Sequence, residues 1–212
     1  SAPVLATAIC WLYVGLFIVS HDCMHGSLLP GKPRWNRLVG QCFLSLYAGF
    51  SFDKLRRQHF LHHRHSGTQE DPDFDDRLPH SAPRWYLSFL IRYFSGYQLV
   101  LMGLVSIFLL GVVGVDLINM LVFWALPAIL SSIQLFIFGI YLPHRSSAQP
   151  FADRHRTRDS GYGWWRSLLT CYHFGHHQTH HEFPRGPWWG LPMMDKAKRS
   201  RPYCGGLLEN TA

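Results

Sequence analysis

Histidines recur at helical spacing along this 212-residue chain. The stretch HFGHHQTHH at 173–181 holds five histidines, and its HxxHH motif at 177–181 repeats an earlier HxxHH motif at 59–63. His21 and His25 stand four residues apart. Because positions i, i+3 and i+4 share one face of a helix, each motif is predicted to present its imidazoles to one point. Such clustering predicts a metal centre, since imidazole is a common ligand for transition metals.

The number of clustered imidazoles indicates two metal ions. The two HxxHH motifs and the HxxxH pair supply eight imidazoles, twice the number that a tetrahedral zinc site accepts. Calcium and magnesium prefer oxygen ligands, whereas imidazole suits zinc, copper, iron and nickel. The five cysteines form no CxxC pair, which argues against a thiolate zinc site. Imidazoles bordering an apolar interior favour a redox centre of two irons that activates dioxygen for a C–H bond, with copper and zinc as the open alternatives.

Long uncharged stretches indicate where the chain crosses a membrane. Three of them are long enough, because a transmembrane helix needs about 20 mostly apolar residues to cross roughly 30 Å of hydrocarbon. These stretches are 1–20, 93–115 and 117–143. Charged residues make up only 16% of the chain, well below the quarter usual for soluble domains. The sequence therefore predicts an all-α integral membrane protein, with spans over about 1–25, 86–115 and 117–143.

Lysine and arginine cluster in the segments between these spans, which predicts that the segments lie on the cytoplasmic side. Segments 54–84 and 144–212 hold the two HxxHH motifs and are expected to form the cytoplasmic, metal-binding part of a single membrane domain over 1–212. Residues 38–52 are uncharged but too short to span, so an interfacial or dipping helix is expected there. If the native N-terminus is cytoplasmic, an additional helix upstream of Ser1 is expected.

The net charge of +7 agrees with a protein whose inner face lies against anionic lipid. Nucleic acid is not indicated as a partner, because no basic stripe with interleaved aromatic residues stands apart from the membrane flanks. Pro127 lies inside the third predicted span and is expected to kink it.

The order of the motifs carries a family resemblance. An HxxxH motif, two HxxHH motifs and a helical hairpin between the last two resemble the integral-membrane fatty acid desaturase and hydroxylase superfamily of di-iron oxygenases. Further segments are similar to the β-carotene ketolases within that superfamily. They are HDCMHGSLLPGKPRWN at 21–36, HHRHSGTQEDPDF at 62–74, YLPHR at 141–145, SLLTCYHFG at 167–175 and FPRGPWWGLP at 183–192. The similarity runs over nearly the whole chain.

The resemblance implies a specific reaction. A ketolase uses O2 to hydroxylate the methylene at carbon 4 of a β-ionone ring twice, and the geminal diol then loses water to leave a ketone. The implied cofactors are two iron ions with O2, and the implied substrate is β-carotene, with zeaxanthin as a second candidate. The reducing equivalents would come from an electron donor such as ferredoxin, since the sequence holds no dinucleotide-binding or phosphate-binding fingerprint of its own.

The resemblance also implies a ligand set. The three motifs place eight ligands, which are His21, His25, His59, His62, His63, His177, His180 and His181. His144, in YLPHR at the inner end of the last span, is a ninth, and His173, one turn before His177, is a tenth if one helix continues through both. His176 stands where ketolases commonly have tyrosine and is expected to support a ligand or to face solvent. Gln178 stands where a histidine is usual, so that position is not expected to bind metal.

Carboxylates close in sequence to the ligands are candidates to orient them. A metal-bound imidazole usually donates its other N–H group to a carboxylate or a carbonyl oxygen. Asp22, Asp71 and Asp73 are placed to accept such hydrogen bonds. The acidic run EDPDFDD could equally be a solvated turn enforced by Pro72.

Two other functions share parts of this pattern. A carotenoid ring hydroxylase or a fatty acid desaturase or hydroxylase would use the same histidine frame. A membrane metal-binding or transport protein would instead bind the metal as cargo. Transport sites lie near the middle of the bilayer, whereas every candidate ligand here lies at one end of a predicted span.

Overall fold

The computed structural model describes residues 1–75, 81–147 and 149–200, and every regular element within these ranges is helical. The helices are α1 (Ala2–His25), α2 (Pro33–Ala48), α3 (Phe52–His65), α4 (Ala82–Tyr93), α5 (Gly96–Val113), α6 (Leu117–His144), α7 (Trp164–Cys171), α8 (His177–Glu182) and α9 (Leu191–Arg199). The predicted all-α architecture is confirmed.

Three of these helices are long and apolar enough to cross a membrane, namely α1, α5 and α6. With 28 residues, α6 is about 42 Å long at 1.5 Å per residue, which exceeds the roughly 30 Å of hydrocarbon. At least one end of α6 must therefore extend beyond the apolar layer, and His144 is its last residue.

The helix α6 is not a regular α-helix throughout. A π-helical turn at Leu121–Ala125 comes directly before Pro127, whose ring removes one backbone N–H group. A second π-helical turn lies at Ile137–Tyr141, one turn before His144. Such turns accommodate a missing hydrogen bond without ending the helix.

The span expected over 86–115 is divided into two helices. At Phe94 the backbone is extended, and a new helix starts at Gly96. Ser95 caps it, because the Gln98 side chain accepts hydrogen bonds from the Ser95 backbone N–H (2.8 Å) and from its hydroxyl (2.6 Å). Only the part after this cap, α5, is long and apolar enough to span.

The helix expected over 38–52 begins earlier, at Pro33, and packs along α1. Its 16 residues would measure about 24 Å, short of a full span. Gly40 lies at the closest approach, because a Cβ atom there would be 3.0 Å from Cβ of Cys23 and 2.3 Å from the ring of Phe52. A glycine at this position thus lets α2 and the start of α3 close on the inner end of α1.

The segment before the last histidine motif is held between α1 and α6. The Gln134 side chain of α6 donates a hydrogen bond to the carbonyl oxygen of Thr170 (2.5 Å), which lies in the last turn of α7. Tyr172 follows and stacks on Trp11, with ring centroids 4.4 Å apart. Gly15 makes room for it, since a Cβ there would lie 2.6 Å from the Tyr172 hydroxyl. These contacts bring α8 to the C-terminal ends of α1 and α6, where His25 and His144 lie.

Candidate metal centre

The nine imidazoles predicted from the motifs and from the end of the last span assemble into two groups. Within each group, one nitrogen from every ring lies within 4.8 Å of the others. Group one consists of His21, His25, His59, His63 and His180. Group two consists of His62, His144, His177 and His181. Each group combines residues from a span with residues from α3 and α8, so neither can form from a single segment.

Each HxxHH motif is divided between the two groups. The residues at i and i+4 of α3, His59 and His63, belong to group one, while His62 belongs to group two. In α8 the i and i+4 pair joins group two, while His180 joins group one. The prediction that each motif presents its imidazoles to one point is therefore wrong for the two HxxHH motifs, although the pair His21 and His25 does share group one. Consecutive residues of an α-helix point about 100° apart, so His62 and His63 face different neighbours.

The donors of group one converge, with one pair at the spacing expected of ligands to one cation and two pairs closer than that. The Nε2 atom of His59 lies 2.8 Å from Nε2 of His21 and 2.6 Å from Nε2 of His25. The Nε2 atoms of His63 and His180 lie 3.0 Å apart. Nitrogens bound to one metal at about 2.1 Å would be roughly 3.0–3.4 Å apart at octahedral or tetrahedral angles. Five such donors exceed the four of tetrahedral zinc and fit a metal of higher coordination number, such as iron.

Group two converges in the same way. The Nε2 atom of His181 lies 3.2 Å from Nε2 of both His62 and His177. His144 donates its Nδ1–H to the backbone carbonyl oxygen of Arg156 at 3.0 Å, which leaves Nε2 as the nitrogen with a free lone pair. That Nε2 atom is buried and has no hydrogen-bond partner among the described residues. A buried, unpartnered nitrogen facing other imidazoles fits a metal ligand.

The electrostatics of the centre keep most of its imidazoles neutral. Burial, reinforced by repulsion among neighbouring imidazoles, holds the pKa well below the ordinary histidine value at positions outside the spans. These positions are His59, His63, His177, His180 and His181. A neutral imidazole keeps the lone pair that a metal needs.

Asp71 hydrogen-bonds His62, a candidate ligand in the second motif. Its carboxylate accepts a hydrogen bond from Nδ1–H of His62 at 2.9 Å. The same carboxylate accepts from the backbone N–H groups of Gly67 and Asp73, both at 2.8 Å. Burial alone would lower the pKa of His62, but the Asp71 and Asp73 carboxylates outweigh it and raise that pKa. With Nδ1 bound to Asp71, the Nε2 atom of His62 faces the other imidazoles of group two.

The other two predicted carboxylates, Asp73 and Asp22, do not hydrogen-bond the neighbouring candidate ligands, His62 and His21. Asp73 lies 3.7 Å from Nδ1 of His62, beyond hydrogen-bond distance, and accepts a hydrogen bond from the Tyr93 hydroxyl. Asp22 lies 3.6 Å from Nδ1 of His21 and accepts from the backbone N–H of Trp188 at 2.9 Å. Asp22 thus ties the inner end of α1 to the segment after α8 and does not hydrogen-bond its neighbouring ligand.

His173, the tenth predicted ligand, lies outside both groups. The prediction assumed one helix through residues 173 and 177, but α7 ends at Cys171 and the backbone of His173 has a left-handed φ of 62°. Its ring packs against Trp164 and stacks on Trp188, with centroid distances of 5.1 and 6.1 Å. The break in the helix removes the shared face on which the prediction rested.

His176 is buried, so the solvent-facing alternative for it is wrong. Its Nδ1 atom lies 3.1 Å from a carboxylate oxygen of Asp195, on α9. Sequence reasoning missed Asp195 and also missed Asp159. Asp159 accepts hydrogen bonds from the Thr179 backbone N–H (3.1 Å) and hydroxyl (2.8 Å), and so caps α8. Nothing in the local sequence signals either contact, because both partners come from distant segments.

Two polar residues next to the motifs, Gln178 and His65, do not join the groups. Gln178 points away and donates a hydrogen bond to a carboxylate oxygen of Asp153 at 3.0 Å. His65 lies 2.7 Å from a carboxylate oxygen of Glu70, at the surface. His80 lies outside the described residues.

A substitution at His173 would test its exclusion from the metal centre. We expect His173→Asn to retain the full metal content per purified chain, because asparagine tolerates the left-handed backbone and the lost ring contacts Trp164, Trp188 and His176, none of which belongs to either group. His180→Asn is the matched control and should lower the metal content, since His180 belongs to group one. Elemental analysis of both purified variants is the measurement, and an equal loss in the two would make His173 a ligand.

Comparison with known proteins identifies the family of the chain. The family model for fatty acid desaturases matches residues 1–105 and 95–208. The beta-carotene ketolase of Paracoccus sp. (strain N81106 / MBIC 01143) is 50% identical over 90% of this chain and 79% of the relative. The beta-carotene ketolase of Paracoccus sp. (strain PC1) is 49% identical over 88% of this chain and 76% of the relative.

A more distant relative differs in the substrate that its name states. The zeaxanthin 4-ketolase of Chlamydomonas reinhardtii is 38% identical over 92% of this chain and 44% of that protein. No solved structure matches the chain. The family model and the two bacterial relatives each cover most of the sequence. The chain therefore belongs to the fatty acid desaturase family, together with these ketolases.

Proposed function

We propose that this membrane enzyme is a carotenoid ketolase that converts the methylene at carbon 4 of a β-ionone ring of β-carotene to a ketone. The observation that carries the proposal is the convergence of nine imidazoles in two groups at the inner ends of the spans. The names and the high identity of the bacterial relatives support the substrate class.

The stoichiometry of the reaction determines which molecules, electrons and protons the site must take up and release. Each hydroxylation takes one O2, two electrons and two protons, inserts one oxygen atom into a C–H bond and releases one water. The second hydroxylation leaves a geminal diol, which loses water to form the ketone. One ketone therefore consumes two O2 and four electrons and releases three waters in all. Zeaxanthin, whose ring already carries a hydroxyl group, is a second candidate substrate, supported by the name of the algal relative.

Group one would hold one iron and group two the other, and together the two irons would supply the activation of O2. The chain's own residues prepare for this by keeping imidazole nitrogens neutral and convergent. Asp71 and the carbonyl oxygen of Arg156 accept the outward N–H groups of His62 and His144 and so determine which nitrogen faces inward.

Phe174 gives the centre an apolar cover. Its buried ring lies 4.6 Å from the ring of His21 and 5.2 Å from each of His177 and His180, measured between centroids. It belongs to the apolar cluster that also includes Val14 and Ile18 of α1. Phe174 would therefore limit water on the side of the site that faces the spans, where an apolar substrate would approach.

We place the metal centre on the cytoplasmic side of the membrane, because the flanking segments hold the clustered lysines and arginines. Membrane lipid surrounds the spans in this arrangement. The electrons come from a soluble donor such as ferredoxin on the same side.

The alternatives are less well supported. A transport protein would bind its metal near the middle of the bilayer, whereas these imidazoles come from the last turns of α1 and α6 and from the short helices α3 and α8. A ring hydroxylase or a fatty acid enzyme would use the same centre, but the relatives named above are ketolases.

Product analysis tests the proposal. We expect cells that accumulate β-carotene to form its 4-keto derivatives when they express this chain, and the purified protein to hold two irons per chain. Cells carrying the His180→Asn variant are the control and should form no ketone. A product that is only hydroxylated, altered fatty acids with carotenoid untouched, or zinc in place of iron would each contradict the proposal.

A further inference from the structure

The two imidazole groups differ in how close they come to the surface. All four members of group two are buried, as are His21 and His180 of group one. The other three members of group one, His25, His59 and His63, are only half-buried. The centre therefore comes nearest to the surface at group one, on the side formed by α3 and the inner end of α1.

An aromatic side chain lies on the surface at this point. Phe60 is 40% exposed, and its ring centroid lies 5.4 Å from that of His25 and 6.3 Å from that of His59. Leu61, beside it on α3, is 39% exposed. The Arg56 guanidinium lies over the Phe60 ring at 5.0 Å. An exposed apolar centre is thus in direct contact with two candidate ligands.

The rim of this patch is positively charged. Arg57 and Arg64 are exposed and stand seven residues apart on α3, with Phe60 and Leu61 between them on the same face. Neither arginine has a hydrogen bond or an ion pair within the described part of the chain. Of the nearby acids, Asp53 pairs with Arg37 at 2.6 Å and also interacts electrostatically with Arg57, and Glu70 pairs with His65 at 2.7 Å. The face formed by Phe60, Leu61, Arg57 and Arg64, here called the α3 patch, keeps an excess of positive charge.

We propose that the α3 patch is the docking site of an acidic protein that delivers electrons one at a time to the metal centre. The proposal rests on the proposed function, which consumes four electrons for each ketone formed. A donor seated on Phe60 would contact the half-buried ligands of group one, the shortest route inward from this surface. Complementary charge would guide a negatively charged donor to the arginine rim.

The composition of the patch favours a protein over lipid headgroups. Protein interfaces are enriched in arginine and aromatic residues around an apolar centre, as this patch is. Lipid headgroups could neutralise the arginines, but they supply no electrons. The experiment therefore separates these two occupants.

The test uses the whole chain in nanodiscs, with a plant-type [2Fe–2S] ferredoxin as the acidic probe. The variant Arg57→Glu with Arg64→Glu is compared with Arg84→Glu with Arg166→Glu, which makes the same charge change at two exposed arginines outside α3. Three quantities are measured in neutral-lipid discs. They are ferredoxin binding at several salt concentrations, ketone formation driven by ferredoxin, and ketone formation driven by dithionite.

We expect the α3 variant to bind ferredoxin about tenfold more weakly and with less dependence on salt, and to lose ferredoxin-driven ketone formation in parallel. Its iron content and its dithionite-driven ketone formation should equal those of the wild type. The control variant should bind ferredoxin within about twofold of the wild type.

Other outcomes would overturn the proposal. The wild type could fail to bind ferredoxin, or the α3 variant could bind ferredoxin as well as the wild type does. The α3 variant could lose iron or dithionite-driven ketone formation. Its defect could also be seen only in discs that contain anionic lipid. The last result would assign the patch to lipid headgroups. Failure of the proposed function is distinguishable, because a wild type that binds ferredoxin but forms no ketone with either reductant would refute the ketolase reaction and leave the docking site standing.

Discussion

Replacing His177 with alanine should abolish ketone formation. His177 is buried in group two, with its Nε2 atom 3.2 Å from Nε2 of His181 and its ring 5.0 Å from that of His144. Alanine would remove one of four nitrogen donors and leave an apolar gap that water can enter. We expect ketocarotenoid yield to fall to the detection limit and iron content to fall from two towards one per chain, measured on cell extracts and on purified protein.

The matched control is Gln178→Ala, one residue along the same helix. Its side chain points away from both groups and donates to Asp153, so this variant should keep its iron and most of its activity. Comparable losses in the two variants would mean that α8 presents a different face to the metals. Full iron content in the His177 variant would exclude this residue from the ligand set.

The second large effect is expected at Asp71, although this residue would not touch the metal. The change Asp71→Asn keeps the size of the side chain but removes the charge that His62 and two backbone N–H groups share. Loss of such a partner typically lowers metal affinity or activity by about 10–100-fold. We expect a loss in that range for ketone formation, with iron lost more readily to a chelator, which a titration of the purified protein would measure.

Glu70→Gln is the control for Asp71, because it makes the same chemical change at the neighbouring residue. Glu70 is exposed and pairs only with His65, so activity and iron retention should match the wild type. If the Asp71 variant resisted the chelator as the control does, the hydrogen bond to His62 would have no role in holding the metal.

The identity of the clustered imidazoles could be read from the sequence, but their division into two groups could not. Spacing at i, i+3 and i+4 marks residues that share a helical face, and all eight histidines marked in this way lie in the centre, as does His144 at the end of the last span. The spacing says nothing about what stands opposite each side chain. His62 and His63 separate because His62 faces α6 and His63 faces α1, while α8 contributes to both groups.

The error at His173 has a clear physical cause. The prediction assumed that a single helix runs through HFGHHQTHH, whereas the backbone turns left-handed at Tyr172 and His173 and a new helix starts at His177. The turn is held by contacts with other segments, Tyr172 on Trp11 and the Gln134 side chain on the end of α7. No local signal in the nine residues predicts those partners.

The sequence by itself determined the class of the protein and identified the histidines that cluster at its candidate metal centre. Uncharged stretches long enough to span, and imidazoles repeated at helical spacing, are local properties that any fold of this chain must satisfy. Only the tertiary structure decided which imidazoles lie together, that Arg156, Asp159 and Asp195 contact the segments that carry them, and that His173 does not join them. All three features depend on contacts between segments that are far apart in sequence. Such contacts arise only when α1, α3, α6 and α8 pack together at one end of the spans.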